Sequence, residues 1–449
     1  MDRKIIAGII SGIILWAGFI FAVEISVNPA TESLQSGNVF VITLGNLKPG
    51  DHAVKVFNNK GKYVRTILDK CSTETTIVVP WNLRGQWGKK VKPGQYTLKY
   101  LSGITFTLDK SFGKDGIISD TGIISPTDVQ TDRSGNLYVL DEGASILYKF
   151  TADGKPLKDI NGKNFIESTT APLWGSFCIG NDGRIYLSFT HSTSHVIGVY
   201  DGKTGALLYY IGGAGNPYWN GPYKPGDGCY YPVWVGINGS HLYAGSYVIL
   251  CWDVRKPGNT GGLWGIKQKD QPLTADAITT DGKNAIYWAP GSPWSYTGLH
   301  KIIDETTYKN GKVIYKTPEG YLISNYSLNS FTDPITKMQI NLNDIRGLAS
   351  DHEDGVYAVQ RKYSRIVKFS DTGFGFDYVA SFGSFGKNAS NLEFTAPHDV
   401  AISPNGHYIY VVEDGEAISK ENTTPGLARI MKFKISYKEE KEIKLIVTP

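Results

Sequence analysis

Methionine is scarce in this chain, at 3 residues, alanine is sparse, and only one long uncharged apolar run is present, Ile5 to Val23. Everywhere else the apolar segments are short and bounded by Gly, Asp, Asn or Pro, while Gly, Tyr and Trp are frequent. This is the composition of strands and turns. Cysteine is also rare: Cys71, Cys178, Cys229 and Cys251 are too few in 449 residues to hold the fold together as a disulfide framework. They have three ways to pair if all are oxidised, Cys229 with Cys251 being attractive within one repeat, or they stay as buried thiols. Charge of one sign is missing too, because 46 basic residues face 42 acidic ones, a net of +4 spread along the chain. Such a balance leaves no footprint for nucleic acid. No nucleophile elbow, Walker loop, His-Glu-x-x-His or Cys-x-x-Cys occurs. Gly212-Gly213-Ala214-Gly215 runs into Pro217 and reads as a turn, not as a phosphate cradle.

The apolar run follows Asp2-Arg3-Lys4 and ends at Glu24, so residues 1–23 read as a signal peptide or an N-terminal membrane anchor. Basic residues before the run, with no comparable cluster after it, place the remainder outside the cytoplasm. The expected location is therefore secreted or cell-surface, with residues 5–23 as a possible anchor. Sequons at Asn238, Asn325, Asn388 and Asn422 are compatible with a glycoprotein. A chain of 449 residues exceeds one ordinary core, so two folded domains are expected.

From residue 24 to 112 the pattern is strand and turn, with Val39 to Leu44, Ala53 to Phe57, Tyr63 to Leu68, Thr75 to Val79 and Gln95 to Tyr100 as strands. Asn58-Asn59-Lys60-Gly61 supplies a hairpin turn, and Lys92-Pro93-Gly94 feeds a last strand. Val56-Phe57, Gly61-Lys62-Tyr63-Val64-Arg65, Trp81-Asn82, Gly88, Val91 and Pro93-Gly94-Gln95-Tyr96 resemble the Ig-like domain of flagellar hook-capping proteins. The chain departs from that family at Asn82-Leu83, where Asp-Gly is usual. The resemblance implies a β-sandwich serving as spacer or assembly element, and no chemistry.

Residues 113–437 carry an internal repeat. Its first copy runs Ser125-Pro126-Thr127-Asp128-Val129, Ser134-Gly135-Asn136-Leu137-Tyr138-Val139, Ile146-Leu147-Tyr148-Lys149-Phe150. Its last runs Ala396-Pro397-His398-Asp399-Val400, Asn405-Gly406-His407-Tyr408-Ile409-Tyr410-Val411, Ala428-Arg429-Ile430-Met431-Lys432-Phe433. Weaker copies are anchored at Asp182-Gly183, Asn238-Gly239, Asp281-Gly282 and Asp354-Gly355, each placing a Tyr after a turn, which makes six in all. Each copy reads as a sheet with two apolar faces that only neighbouring sheets can cover, so the set must close on itself. These residues resemble NHL-repeat propellers, which implies an all-β fold: a six-bladed β-propeller after a small N-terminal Ig-like β-sandwich. The strand near residues 104 to 112 or, in rivalry, Glu442 to Val447 would complete the last blade, the alternative for residues 438–449 being a charged tail.

In such a ring the inner strands converge at their entrances. Two aligned columns sit there: Thr127, Ser176, Val233, Ala275, Arg346 and His398, then Asp128, Phe177, Trp234, Asp276, Gly347 and Asp399. Pro397-His398-Asp399 resembles the metal-binding repeat of the peptidyl-amidoglycolate lyases, but a zinc site needs several converging ligands and only this repeat carries the His. Asp128, Asp276 and Asp399 suit a calcium-type ion, as in related lactonase propellers, or simply fix the turn into the inner strand by side-chain to backbone bonds. His191 and His195 read as solvent-facing. The insertion with Tyr218, Trp219, Tyr223 and Tyr230, joined by Trp234 and Trp294, offers aromatic surface for a sugar or a protein, or else fills wedges between blades.

The leading expectation is thus a non-enzymatic interaction or scaffold protein that binds a protein or glycan partner and needs no cofactor. The alternative is a lyase or lactonase at the channel mouth, with His398, Asp399 and Arg346 as its catalytic groups and calcium or zinc held by some of Asp128, Asp276, Asp399 and His398. A second alternative is a subunit of a surface layer or filament, built by self-assembly.

Overall fold

The computed structural model describes residues 22–449 except 30, 34–37, 86–87, 120–121, 159–161, 163, 168–174, 190–195, 213–232, 246–248, 256–263, 267–274, 283, 291–297, 305–306, 310–311, 315–325, 374 and 417–425. The described chain is nearly all β, and its only helices are two short 3-10 turns, Arg361–Tyr363 and Ala389–Asn391. It divides into two compact units, one formed by Met1–Ile104, Pro334–Lys337 and Tyr437–Pro449, the other by Thr105–Asp333 and Met338–Ser436.

In the first unit, Phe40–Gly45 alternates buried Phe40, Ile42 and Leu44 with partly exposed Val41 and Thr43. Ile77–Trp81 does the same with Ile77, Val79 and Trp81 inward. This period of two is what a strand with one wet face requires. With Glu24–Asn28 these strands form one antiparallel sheet. Gly50–Asn58 pairs with Tyr63–Ser72 and with the Gly94–Leu108 strand to form a second. Between them lies one core in which Phe40 stacks on Trp81 at 5.7 Å and Trp81 meets the edge of Tyr96. The indole N–H of Trp81 is satisfied by the Arg84 carbonyl at 3.0 Å.

Residues 438–449 differ from both expectations held for them. The strand Ala428–Thr448 carries Leu445 and Val447 into this first core, and Thr31–Ser33 pairs in parallel with its residues 446–448. The alternation of Lys and Glu with Ile443, Leu445 and Val447 is the half-buried strand pattern, which the high charge disguised as a tail.

In the second unit four-stranded antiparallel order recurs. The sheets start at the inner strands Pro126–Thr131, Phe177–Ile179, Trp234–Asn238, Ala275–Thr280, Ile345–Ser350 and Pro397–Ile402. Each inner strand packs against the next, and Pro397–Ile402 packs against Pro126–Thr131, so the order returns to its start. The last sheet takes its outer edge from the segment beginning at Thr105. The Asp109 N–H bonds the Lys432 carbonyl at 2.8 Å, Thr105 Oγ1 bonds the Ser436 carbonyl at 3.3 Å, and Phe106 stacks on Phe382 at 3.8 Å.

A buried polar column repeats from sheet to sheet. Tyr138, Tyr287, Tyr357 and Tyr410 stand directly opposite Lys149, Lys301, Lys368 and Lys432 on the neighbouring strand. Three of these ammonium groups, those of Lys149, Lys301 and Lys432, reach the end of the third strand in the following sheet. Lys149 Nζ bonds the Gly202 carbonyl at 2.9 Å, Lys301 pairs with Asp371 at 2.5 Å, and Lys432 bonds the Ala152 carbonyl at 2.9 Å. Tyr287 donates to the same Asp371 oxygen at 2.6 Å. Removing one partner of such a buried pair strands the other's charge. Lys301→Ala should therefore cost about 3–5 kcal/mol in urea unfolding, whereas Lys155→Ala, which removes an exposed pair with Asp153, should cost less than ~1 kcal/mol.

Candidate functional site

The inner strands of the second unit are held at their entrances by polar side chains from the ends of the second strands. Asp141 accepts the N–H groups of Ile124, Ser125 and Ala144 at 2.7, 2.9 and 2.8 Å. Ser188 Oγ accepts the Ser176 N–H at 2.8 Å, Gln360 Nε2 donates to the Asn341 carbonyl at 2.9 Å, and Glu413 accepts the Ala396 N–H at 2.8 Å while pairing with buried Arg429. A buried carboxylate needs such donors to offset its lost hydration.

Deeper in, Asp128 and Asp399 link sheet to sheet. Asp128 Oδ2 accepts the Phe177 N–H at 2.8 Å, and Asp399 Oδ2 accepts the Val129 N–H at 3.0 Å. Both are fully buried. Burial pushes both carboxyls up, that of Asp399 well above the usual carboxylate range with the Asp128 charge adding to it. Both carboxylates bond backbone N–H groups of the following sheet, not of the turn into their own inner strand. Gly347, their counterpart one sheet earlier, is small for a reason: a Cβ there would lie 2.5 Å from Asp399 Cα and 2.7 Å from the His398 carbonyl oxygen.

His398 and Trp234 come from inner strands three sheets apart in the contact order, yet their rings stack at 6.4 Å. His398 Nδ1 lies 2.6 Å from the Thr127 carbonyl oxygen, so it carries the proton. Burial, with Arg361 and Arg346 adding positive charge nearby, lowers the His398 imidazole to about 4, and it is neutral at physiological pH. Around it lie Arg346, 3.2 Å from Asp344, and the buried Arg361–Asp414 pair, with Glu416 at 3.6 Å from Arg361.

Sequence reasoning missed Glu142. Its Oε1 accepts the Gly175 N–H at 2.9 Å, and burial, with Asp128, Glu416 and Asp414 nearby, pushes it up to about 7. A signal existed: Asp141-Glu142-Gly143 and Glu413-Asp414-Gly415 occupy the same place in the first and last repeats.

The structure thus brings Asp128, Asp399, His398, Arg346 and Trp234 to one end of the inner strands. Trp234 is buried there, so it is no exposed docking aromatic. Asp276 lies on Ala275–Thr280, but its side chain, like Tyr218, Trp219, Tyr223, Tyr230, Trp294, His191 and His195, falls outside the described residues. Cys71, Cys178 and Cys251 are buried thiols, and Cys229 lies outside the described residues. Burial holds the Cys178 and Cys251 thiols well above their usual range. No helix among the described residues is long and apolar enough to cross a membrane.

No family model matches the chain, and no curated protein matches it. Among solved structures it is similar to propeller-type folds. These include a streptogramin B lyase (12% identity, 74% of this chain and 98% of that one, TM-score 0.41). A PQQ-bound aldose sugar dehydrogenase from Streptomyces coelicolor has 14% identity, covers 74% of this chain and 99% of its own, and has a TM-score of 0.45. A calcium-binding protein, regucalcin, from Agrobacterium tumefaciens gives 11%, 73% and 97%, with a TM-score of 0.39. The described chain is nearly all β, and the solved structures it is similar to are propeller-type folds. Likeness at this level assigns no activity.

Glu142 supplies a pH test. Its folded value of about 7 lies above the unfolded one, so the stability it contributes is present below about pH 4.3 and is lost as pH rises toward 7. His398, with its lowered value, acts in the opposite direction between pH 4 and 6.5. Subtracting wild type from Glu142→Gln cancels His398, and unfolding titrations should show the variant gaining relative stability from pH 5 to 7.

Proposed function

We propose that this chain is an extracytoplasmic six-bladed propeller of the NHL kind, carried on an Ig-like module, that recognises a protein or glycan at the cell surface and does no covalent chemistry. The single observation that carries this reading is the Trp234–His398 stack beside Asp128 and Asp399. The two carboxylates are engaged in joining sheets, the imidazole is stacked and bonded to a backbone carbonyl, and little donor capacity converges for an ion or a reaction. On this reading the aromatic-rich segment 216–231, with Tyr218, Trp219, Tyr223 and Tyr230, contributes to recognition. Residues 1–23 direct the chain outward or anchor it, and the N-terminal module acts as spacer.

A second reading keeps the lyase or lactonase alternative, on a specific observation. Asp399 Oδ1 and Thr127 Oγ1 are buried without a hydrogen-bond partner among the described residues, and Glu142 is poised near pH 7 close by. In that reading Asp399, with Asp128, holds a divalent ion of the calcium kind.

One experiment separates them. Pull-down from a native surface extract should recover a partner with the full chain and lose it when residues 216–231 are replaced by a short Gly-Ser linker, with no bound divalent ion that depends on Asp399. Stoichiometric calcium or zinc that disappears in Asp399→Asn, with partner capture indifferent to the loop, would overturn the recognition reading.

A further inference from the structure

The Tyr–Lys column is broken in two sheets: Val199 stands opposite Tyr186, with no polar group in place of the lysine, and the other break carries chemistry. Opposite Tyr243, where four other sheets place a lysine, stands Cys251. A carboxylate like the one that receives the Lys301 ammonium is present: Asp304 follows the third strand Leu299–Ile303 of the next sheet, as Asp371 ends Arg365–Asp371. Tyr243 donates to Asp304 Oδ2 at 2.6 Å, as Tyr287 does to Asp371. The sheet has therefore kept the tyrosine and the carboxylate and has lost the long cationic side chain. The first strand's turn, Asn238-Gly239-Ser240, brings in His241 instead, whose Nδ1 lies 2.7 Å from Asp304 Oδ2. Donor atoms of His241, Cys251 and Asp304 all fall within 4.8 Å of one another, and all three residues are buried.

We propose that His241, Cys251 and Asp304 form a structural site for a divalent ion of the zinc class, which takes the place of the missing ammonium between two sheets. Thiolate, imidazole and carboxylate are the donor types that zinc selects, and the Tyr243 hydroxyl on the same carboxylate stands where a fourth ligand or an outer hydrogen bond belongs. A zinc ion with bonds of about 2.0–2.3 Å needs donors roughly 3.3–3.8 Å apart, so His241 and Asp304 must separate and Cys251 must approach by about 1 Å or less. Rotation of side chains supplies that. On binding, the Cys251 thiol gives its proton to solvent and its sulfur lone pair to the metal, while the proton between His241 and Asp304 is displaced; no oxidation state changes. The site is closed by packing and lies at the turn end of the inner strands, whereas Asp128, Asp399 and His398 lie near the entrance end. It is independent of the recognition reading.

The test uses the full-length chain, stripped with a chelator and titrated with Co²⁺ alone and then Zn²⁺ alone. The expected result is one equivalent of Co²⁺ with a thiolate-to-cobalt charge-transfer band, displaced by Zn²⁺, and a zinc-dependent rise in Tm. Cys251→Lys installs the residue that four other sheets carry; it should fold, match or exceed the stability of the metal-free wild type, and show neither band nor zinc stabilisation. Asp304→Asn keeps hydrogen bonds to Tyr243 and His241 and should also lose the metal. A wild type without the band, or a band that survives in Cys251→Lys or Asp304→Asn, would overturn the proposal.

Discussion

A twisted four-stranded sheet with two apolar faces cannot bury both by itself, and that constraint governs the second unit of this protein. Each sheet covers its neighbour, and polar groups complete what apolar contact leaves unsatisfied. Asp399 reaches Val129, Asp128 reaches Phe177, Thr131 Oγ1 reaches the Ile402 carbonyl and Thr280 Oγ1 the Ile237 carbonyl. Further from the entrances the Tyr–Lys pairs do the same. Lys432 to Ala152 joins the last sheet to the first, just as Lys149 to Gly202 joins the first to the second. Hydrogen bonds from charged donors inside a low-dielectric core are costly to break, so these links specify neighbours as well as hold them.

The same use of polar residues recurs at the entrance. A His-Asp dipeptide after proline, with acidic residues in the equivalent repeats, has the composition of a metal centre. In the folded chain His398 is neutral, stacked on Trp234 and bonded to the Thr127 carbonyl oxygen, and Asp399 accepts the Val129 N–H. The same residue types can hold an ion or hold a backbone, and the hydrogen-bond partners decide which.

Much of the architecture was legible because the repeat is strong where it matters: the Gly turn, the Tyr after it and the apolar third strand recur in chemistry that a strand requires. The first and last sheets could be read residue by residue. What could not be read was held by non-local partners. The destination of Ile443, Leu445 and Val447 depends on a sheet built more than three hundred residues earlier in the chain, so charge density at that end suggested a tail. Lys149, Lys301 and Lys432 find their acceptors on the next sheet, which no local pattern names. The partners of Glu142 and His241 are likewise distant in sequence.

The central claim is that the second unit is closed, with residues 105–109 forming the outer edge of the last sheet against residues 428–436. Native-state hydrogen exchange at the Asp109 amide, which bonds the Lys432 carbonyl, measures this most directly. The account predicts that this amide exchanges only with global unfolding, in step with the amides of Pro126–Thr131 and Pro397–Ile402. Exchange at the rate of a frayed segment, while those inner strands stay protected, would contradict it.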